Sequence, residues 1–135
     1  MTDLPAPRAV AVVRDLFWSA RIRETARLAG RPVVIARSPE DLRAALDEAP
    51  AALAIVDLTA GDPDGVLAVL DARRPRPPVL GFTTHALARE TQPHHARCDR
   101  VVTKETLTQE LGGILASGRV REPDAEPGRA RDAAP

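Results

Sequence analysis

Five short, β-branched apolar runs recur along the chain, each separated from the next by a segment of helical period. They are Val10 to Val13, Val33 to Ala36, Ala52 to Val56, Val79 to Phe82 and Val101 to Thr103. None alternates strictly between apolar and polar, as expected of strands buried on both faces. Strands alternating with helices in this way predict βα units wound around a parallel sheet. With 135 residues there is room for one such domain and a core large enough to need neither metal nor disulfide.

The connecting segments carry their own punctuation. Trp18, Ile22, Ala26 and Ala29 share one face of a first helix that should stop at Gly30, where a residue tolerant of positive φ is usual. In the second, Ser38 can cap, Pro39 suits the first turn, Glu40 and Asp41 favour the positive end, and Leu42, Ala45, Leu46 and Ala49 face inward. Val66, Val69 and Leu70 mark a third, ended by the run Pro75 to Pro78. Between Ala86 and Arg97 a fourth is expected to be broken at Pro93. A last helix is expected from near Thr106, with Gln109 placed for a capping box and Leu107, Leu111, Ile114 and Leu115 turned inward; Gly112 and Gly113 weaken it. Residues 1–7 are expected to be flexible. So are residues 118–135, rich in proline and mixed charge with almost no apolar anchor, which leaves residues 8–117 as the folded domain.

Composition excludes several functions. Nineteen basic and nineteen acidic side chains leave a formal net charge of zero, so long-range attraction to a phosphate backbone has no source and nucleic acid is not the expected partner. No apolar run is long enough to span a bilayer, and the first residues do not read as a signal peptide, so the expected compartment is the cytoplasm. The single cysteine, Cys98, reads as a small buried residue. Of the basic residues, all but Lys104 are arginine. In a chain so biased, a retained lysine suits a role that needs a compact ammonium rather than a planar fork, although chance retention explains it too.

In open parallel sheets, functional groups gather at the carboxyl ends of the strands. That rule selects Asp15 after the first strand, Asp57 closing the third, Thr83 closing the fourth and Lys104 closing the fifth. A carboxylate can accept a phosphoryl group as an acyl phosphate if a cation and hydrogen-bond donors neutralise the transferring oxygens. In that chemistry Asp57 is the nucleophile and Asp15 helps hold Mg²⁺, an ion that prefers oxygen ligands. Lys104 pairs with Asp57 or with a phosphoryl oxygen, and the Thr83 hydroxyl bonds the phosphoryl group. The blander reading makes Asp57 a turn residue, Lys104 a surface charge paired with Glu105 or Asp57, and Thr83 the end of a strand. Trp18 is expected to pack in the core or over the rim of the site, and an exposed Phe17 could anchor a partner. His94, His95 and Cys98 have a spacing that could hold zinc, but Pro93 is adjacent and no fourth ligand is evident.

From Arg8 to Leu115 the sequence resembles the receiver domains of bacterial response regulators. The stretches that carry the likeness are Val-Val-Arg-Asp at 12–15, Ala-Ile-Val-Asp-Leu-Thr at 54–59 followed by Asp64-Gly65, Pro-Val-Leu-Gly-Phe-Thr at 78–83 and Val-Val-Thr-Lys at 101–104. The resemblance implies a flavodoxin-like, doubly wound α/β fold: a five-stranded parallel sheet in order 2-1-3-4-5 with helices on both faces. It also implies a stand-alone phosphorelay protein rather than an enzyme, taking a phosphoryl group on Asp57 from a histidine kinase or phosphotransfer protein and signalling to a downstream protein target, with homodimerisation possible. Thr83 falls on the family's switch hydroxyl and Lys104 on its lysine, and the backbone carbonyl of Thr59 joins Asp15 and Asp57 around the metal.

Some positions depart from the family's pattern. Arg14 stands where a second carboxylate is usual, which should weaken Mg²⁺ binding or let the guanidinium take the cation's place beside Asp57. Val101 replaces the aromatic switch residue, Glu105 the proline after the lysine, and Gly61 the proline four residues beyond Asp57. These substitutions keep a second reading open, a pseudo-receiver that binds or dimerises without phosphorylation. A third, an aspartyl-phosphate phosphatase, lacks the second nearby aspartate such enzymes use, since Leu58 and Thr59 follow Asp57.

Overall fold

The structure is a computed structural model that describes residues 7–121. Five parallel strands, β1 (Arg8–Val12), β2 (Val33–Ala36), β3 (Ala51–Asp57), β4 (Val79–Thr83) and β5 (Arg100–Thr103), form one sheet in the order β2-β1-β3-β4-β5. They alternate with helices α1 (Leu16–Ala29), α2 (Pro39–Glu48), α3 (Pro63–Asp71), α4 (Ala88–His95) and α5 (Lys104–Ser117). The parallel sheet expected from the five apolar runs is observed, in the doubly wound order that the resemblance implies.

Alternate residues of each strand feed two cores, one on each side of the sheet. Ala9, Ala11, Leu53, Ile55, Leu80 and Phe82 pack with Trp18, Ile22 and Ala26 of α1 and with Leu107, Leu111, Ile114 and Leu115 of α5. Val10, Val12, Ala54, Val56 and Val79 pack on the other face with Leu42 and Leu46 of α2 and Val66, Leu67 and Leu70 of α3. Trp18 therefore lies in the core, its ring 5.6 Å from that of Phe82. Phe17 is exposed, set edge-on against Trp18 at 5.7 Å with Arg21 over both rings.

The caps explain where the helices begin and end. Asp15 accepts the amide of Trp18, Ser38 that of Asp41 and Asp62 that of Gly65. Gly30 closes α1 at φ 76, the left-handed conformation that favours glycine there. Two helices depart from expectation. Helix α5 starts at Lys104 because Thr103 caps it by accepting the amide of Thr106, so the capping box from Thr106 to Gln109 does not form and Lys104 opens the helix instead of closing β5. Helix α4 runs through Pro93. It ends two residues later, so the proline removes one backbone bond near the end of a short helix that has no side-chain N-cap and buries only Thr91.

The folded unit also runs past Ser117, contrary to the boundary expected there. Gly118 caps α5 at φ 75, Val120 is buried in the α1–α5 core, and its carbonyl accepts from Arg100. Arg31 ties this end to the start of the chain, donating to the carbonyls of Leu115 and Pro7 at 2.8 and 2.6 Å. The remaining terminal expectations, residues 1–6 and 122–135, lie outside the described residues. No helix among the described residues is long and apolar enough to cross a membrane.

Candidate phosphoacceptor site

Strand order reverses between β1 and β3, and the crevice above their carboxyl ends is where an open α/β sheet presents ligands. Asp57 ends β3 there, in register with Phe82 of β4, and is 6% exposed. A buried carboxylate needs hydrogen-bond donors. Oδ1 accepts two, the amide of Thr59 at 2.8 Å and the Thr59 hydroxyl at 2.6 Å. No further hydrogen bond or ion pair reaches Asp57 among the described residues, which leaves Oδ2 uncommitted. The Thr59 hydroxyl is a contact the sequence reading did not include, having assigned only that residue's carbonyl. The signal for it was local: a threonine two residues after an aspartate is placed to donate back to the carboxylate.

Asp15 follows β1 and is exposed, with Oδ1 taken up by the cap of α1 at 2.9 Å. Arg14 is also exposed. Its aliphatic stem crosses the β3–α3 loop so closely that a Cβ at Gly61 would stand 3.3 Å from Arg14 Cδ. Gly61 has φ +74, so both its conformation and its lack of a side chain make room for the arginine. Arg14 makes no ion pair with Asp57, so the guanidinium does not take the cation's place beside that carboxylate. Lys104, half-buried at the first turn of α5, pairs with neither Asp57 nor Glu105; Glu105 instead lies 3.3 Å from Nε2 of His85.

Thr83 ends β4 beside Thr103 and is buried, but its hydroxyl does not reach Asp57. It lies 3.0 Å from the hydroxyl of Thr91 on α4, itself 2.8 Å from Nε2 of His95. The supposed zinc ligands diverge: His94 turns toward Asp64 at 3.4 Å, His95 toward Thr91, and Cys98 toward Gly81. No group of three potential metal-binding side chains converges among the described residues.

A scan against protein-family models finds no match, and neither does a search of curated proteins. Solved structures do match. The receiver domain of the sensor histidine kinase PA1611 from Pseudomonas aeruginosa PAO1, with magnesium coordinated in its active-site cleft, aligns with a TM-score of 0.67 at 17% identity, over 82% of this chain and 95% of that one. The chemotaxis response regulator CheY4 of Vibrio cholerae aligns at 0.64 and 20% identity, over 80% and 98%. The receiver domain of the response regulator TorR aligns at 0.63 and 20%, over 84% and 99%. The fold is that of a receiver domain. Within it, β3 ends in a buried aspartate, while the threonine and lysine expected around that aspartate make no hydrogen bond or ion pair with it.

Proposed function

We propose that the chain is a receiver-like signalling protein that accepts a phosphoryl group on Asp57 and acts through protein contacts. The observation that carries this reading is the buried Asp57 carboxylate at the strand-order reversal, with Oδ1 anchored by Thr59 and Oδ2 left to react. Oδ2 attacks the phosphorus of a phosphohistidine on a histidine kinase or phosphotransfer protein. The new bond is Oδ2–P, the P–N bond breaks, and its electron pair returns to the imidazole.

Asp15, Asp57 and the Thr59 carbonyl would hold a hard divalent ion, since all three offer only oxygen, as Mg²⁺ prefers. When bound, Mg²⁺ neutralises charge on the transferring oxygens. Lys104 supplies an ammonium from the start of α5, and Thr83 a hydroxyl from the end of β4. Arg14 in place of a second carboxylate lowers the negative charge and weakens the metal site. The protein is no turnover enzyme beyond gaining and losing its own phosphoryl group, and it works in the cytoplasm with a downstream protein as target. A homodimer is compatible with this role. Intact mass after incubation with Mg²⁺ and acetyl phosphate should show one phosphoryl adduct, absent in Asp57→Asn; an unlabelled wild type, under conditions that label an ordinary receiver, overturns the reading.

A specific observation favours a second reading. Neither Lys104 nor Thr83 makes a hydrogen bond or ion pair with Asp57, as suits a pseudo-receiver used for binding or dimerisation without phosphate. Such a protein melts at the same temperature with or without Mg²⁺ and beryllofluoride. Joint stabilisation by the two excludes it, because a ligand of the folded state raises stability.

A further inference from the structure

The Thr83 hydroxyl, the group meant to meet a phosphoryl oxygen, is bonded inside the protein to α4. Thr83 and Thr91 are 3% and 4% exposed, so their polar atoms are satisfied by one another rather than by water. Three groups surround Thr91 Oγ1: Thr83 Oγ1 at 3.0 Å, His95 Nε2 at 2.8 Å and the Ala88 carbonyl at 3.2 Å. A hydroxyl has one proton to give and two lone pairs to receive with. The Ala88 carbonyl can only accept. All three contacts are therefore hydrogen bonds at once in a single arrangement: Thr91 donates to Ala88, while the Thr83 hydroxyl and an Nε2–H of His95 both donate to Thr91. In that arrangement the one proton Thr83 owns is committed to α4.

We infer that Thr91, saturated by His95, is a positioning residue that holds the Thr83 hydroxyl on α4, and that a phosphoryl group on Asp57 must break this bond to recruit it. The inference rests on phosphoryl acceptance at Asp57. It reaches further in naming Thr91 and His95 as the pair that sets how readily the site captures its ligand. Linkage gives the corollary: a partner that shifts α4 away from β4 frees the same proton and favours the phosphorylated state.

Beryllofluoride with Mg²⁺, titrated by calorimetry, reads the effect. Thr91→Val keeps the shape and removes the acceptor, and should bind the mimic about two- to tenfold more tightly, the ratio to which one neutral hydrogen bond corresponds. Thr91→Ser should behave as wild type, and adding Thr83→Val to Thr91→Val should abolish the gain. Unchanged or weaker binding by Thr91→Val, in a wild type that does bind, overturns the inference and leaves phosphoryl acceptance standing. A wild type that ignores the mimic overturns phosphoryl acceptance, and the coupling with it. Independently of any ligand, ring nitrogen shifts should show His95 protonated at Nε2; a neutral ring carrying its proton on Nδ1 overturns the bonding arrangement itself.

Discussion

The hydroxyl of Thr59 donates to Oδ1 of Asp57 at 2.6 Å, parallel to the Thr59 amide at 2.8 Å, so one residue supplies both donors to one oxygen of a buried carboxylate. A hydrogen bond to a charged group is worth about 1.5–3 kcal/mol, and the surviving amide bond keeps the loss below that of an orphaned charge. Thr59→Val should therefore lower unfolding free energy by about 1–2 kcal/mol in urea melts, while Thr59→Ser costs well under half as much. Equal effects of the two variants would show that the methyl group matters rather than the hydroxyl.

An alternating chain of charges ties the segment after α4 to α3 and to the start of β4. Arg97 bridges Asp64 and Asp71 at 3.3 and 3.1 Å, Arg76 bridges Asp71 and Asp99 at 3.0 and 3.1 Å, and Asp99 takes the amide of Val79 at 2.7 Å. Burial pushes the Asp71 carboxyl up, but hydrogen bonds from Arg76 and Arg97 outweigh it and hold the group below its ordinary value of 3.8. A carboxyl lowered on folding contributes stability above its unfolded value and loses it as pH falls through the folded one. Between neutral pH and about pH 2, wild type should lose more stability than Asp71→Asn. Asp71 is 42% exposed and screened, so the difference should be about 1 kcal/mol or less. Parallel pH profiles would remove Asp71 from the acid response.

The sheet was legible in the sequence because every strand is an apolar run that no helix period explains, and α2 because Ser38, Pro39, Glu40 and Asp41 all point to the same start. What escaped depended on tertiary partners. Helix α4 has a proline inside and a single buried residue, so its stability comes from outside its own sequence, as where Thr91 meets Thr83. With that helix expected to break at Pro93, the Thr83–Thr91–His95 contacts were not anticipated. Asp57 and Thr83 were placed correctly at the strand ends, but strand position does not tell where a hydroxyl spends its proton. Likewise Val120 looked like an isolated apolar residue in a polar tail until Gly118 turned it back onto the core.

Cys98 sits between α4 and the sheet, where burial pushes its thiol up to about 11. The thiolate is the reactive form, so the native thiol should alkylate far more slowly at pH 8 than it does in urea. A thiol raised on folding contributes stability below its unfolded value of 9.0 and loses it as pH rises toward 11. Stability should therefore decline over that interval in wild type and decline less in Cys98→Ala. Labelling of native protein as fast as of unfolded protein would mean that α4 opens readily over the cysteine.

Val120 carries the folded unit past the end of α5. Its side chain is 3% exposed against the α1–α5 core, and burying a valine is worth about 1.5–3 kcal/mol. Its carbonyl also accepts from Arg100. A chain stopped after Arg121 keeps both contacts and serves as the reference in thermal melts. A chain stopped after Ser117 loses Val120 and the Gly118 cap, and should be less stable by about 2–3 kcal/mol, with Val120→Ala in the full chain accounting for roughly half of that. If stopping after Ser117 leaves the melting temperature unchanged, the segment from Gly118 to Val120 adds nothing to the core, and the domain ends with α5.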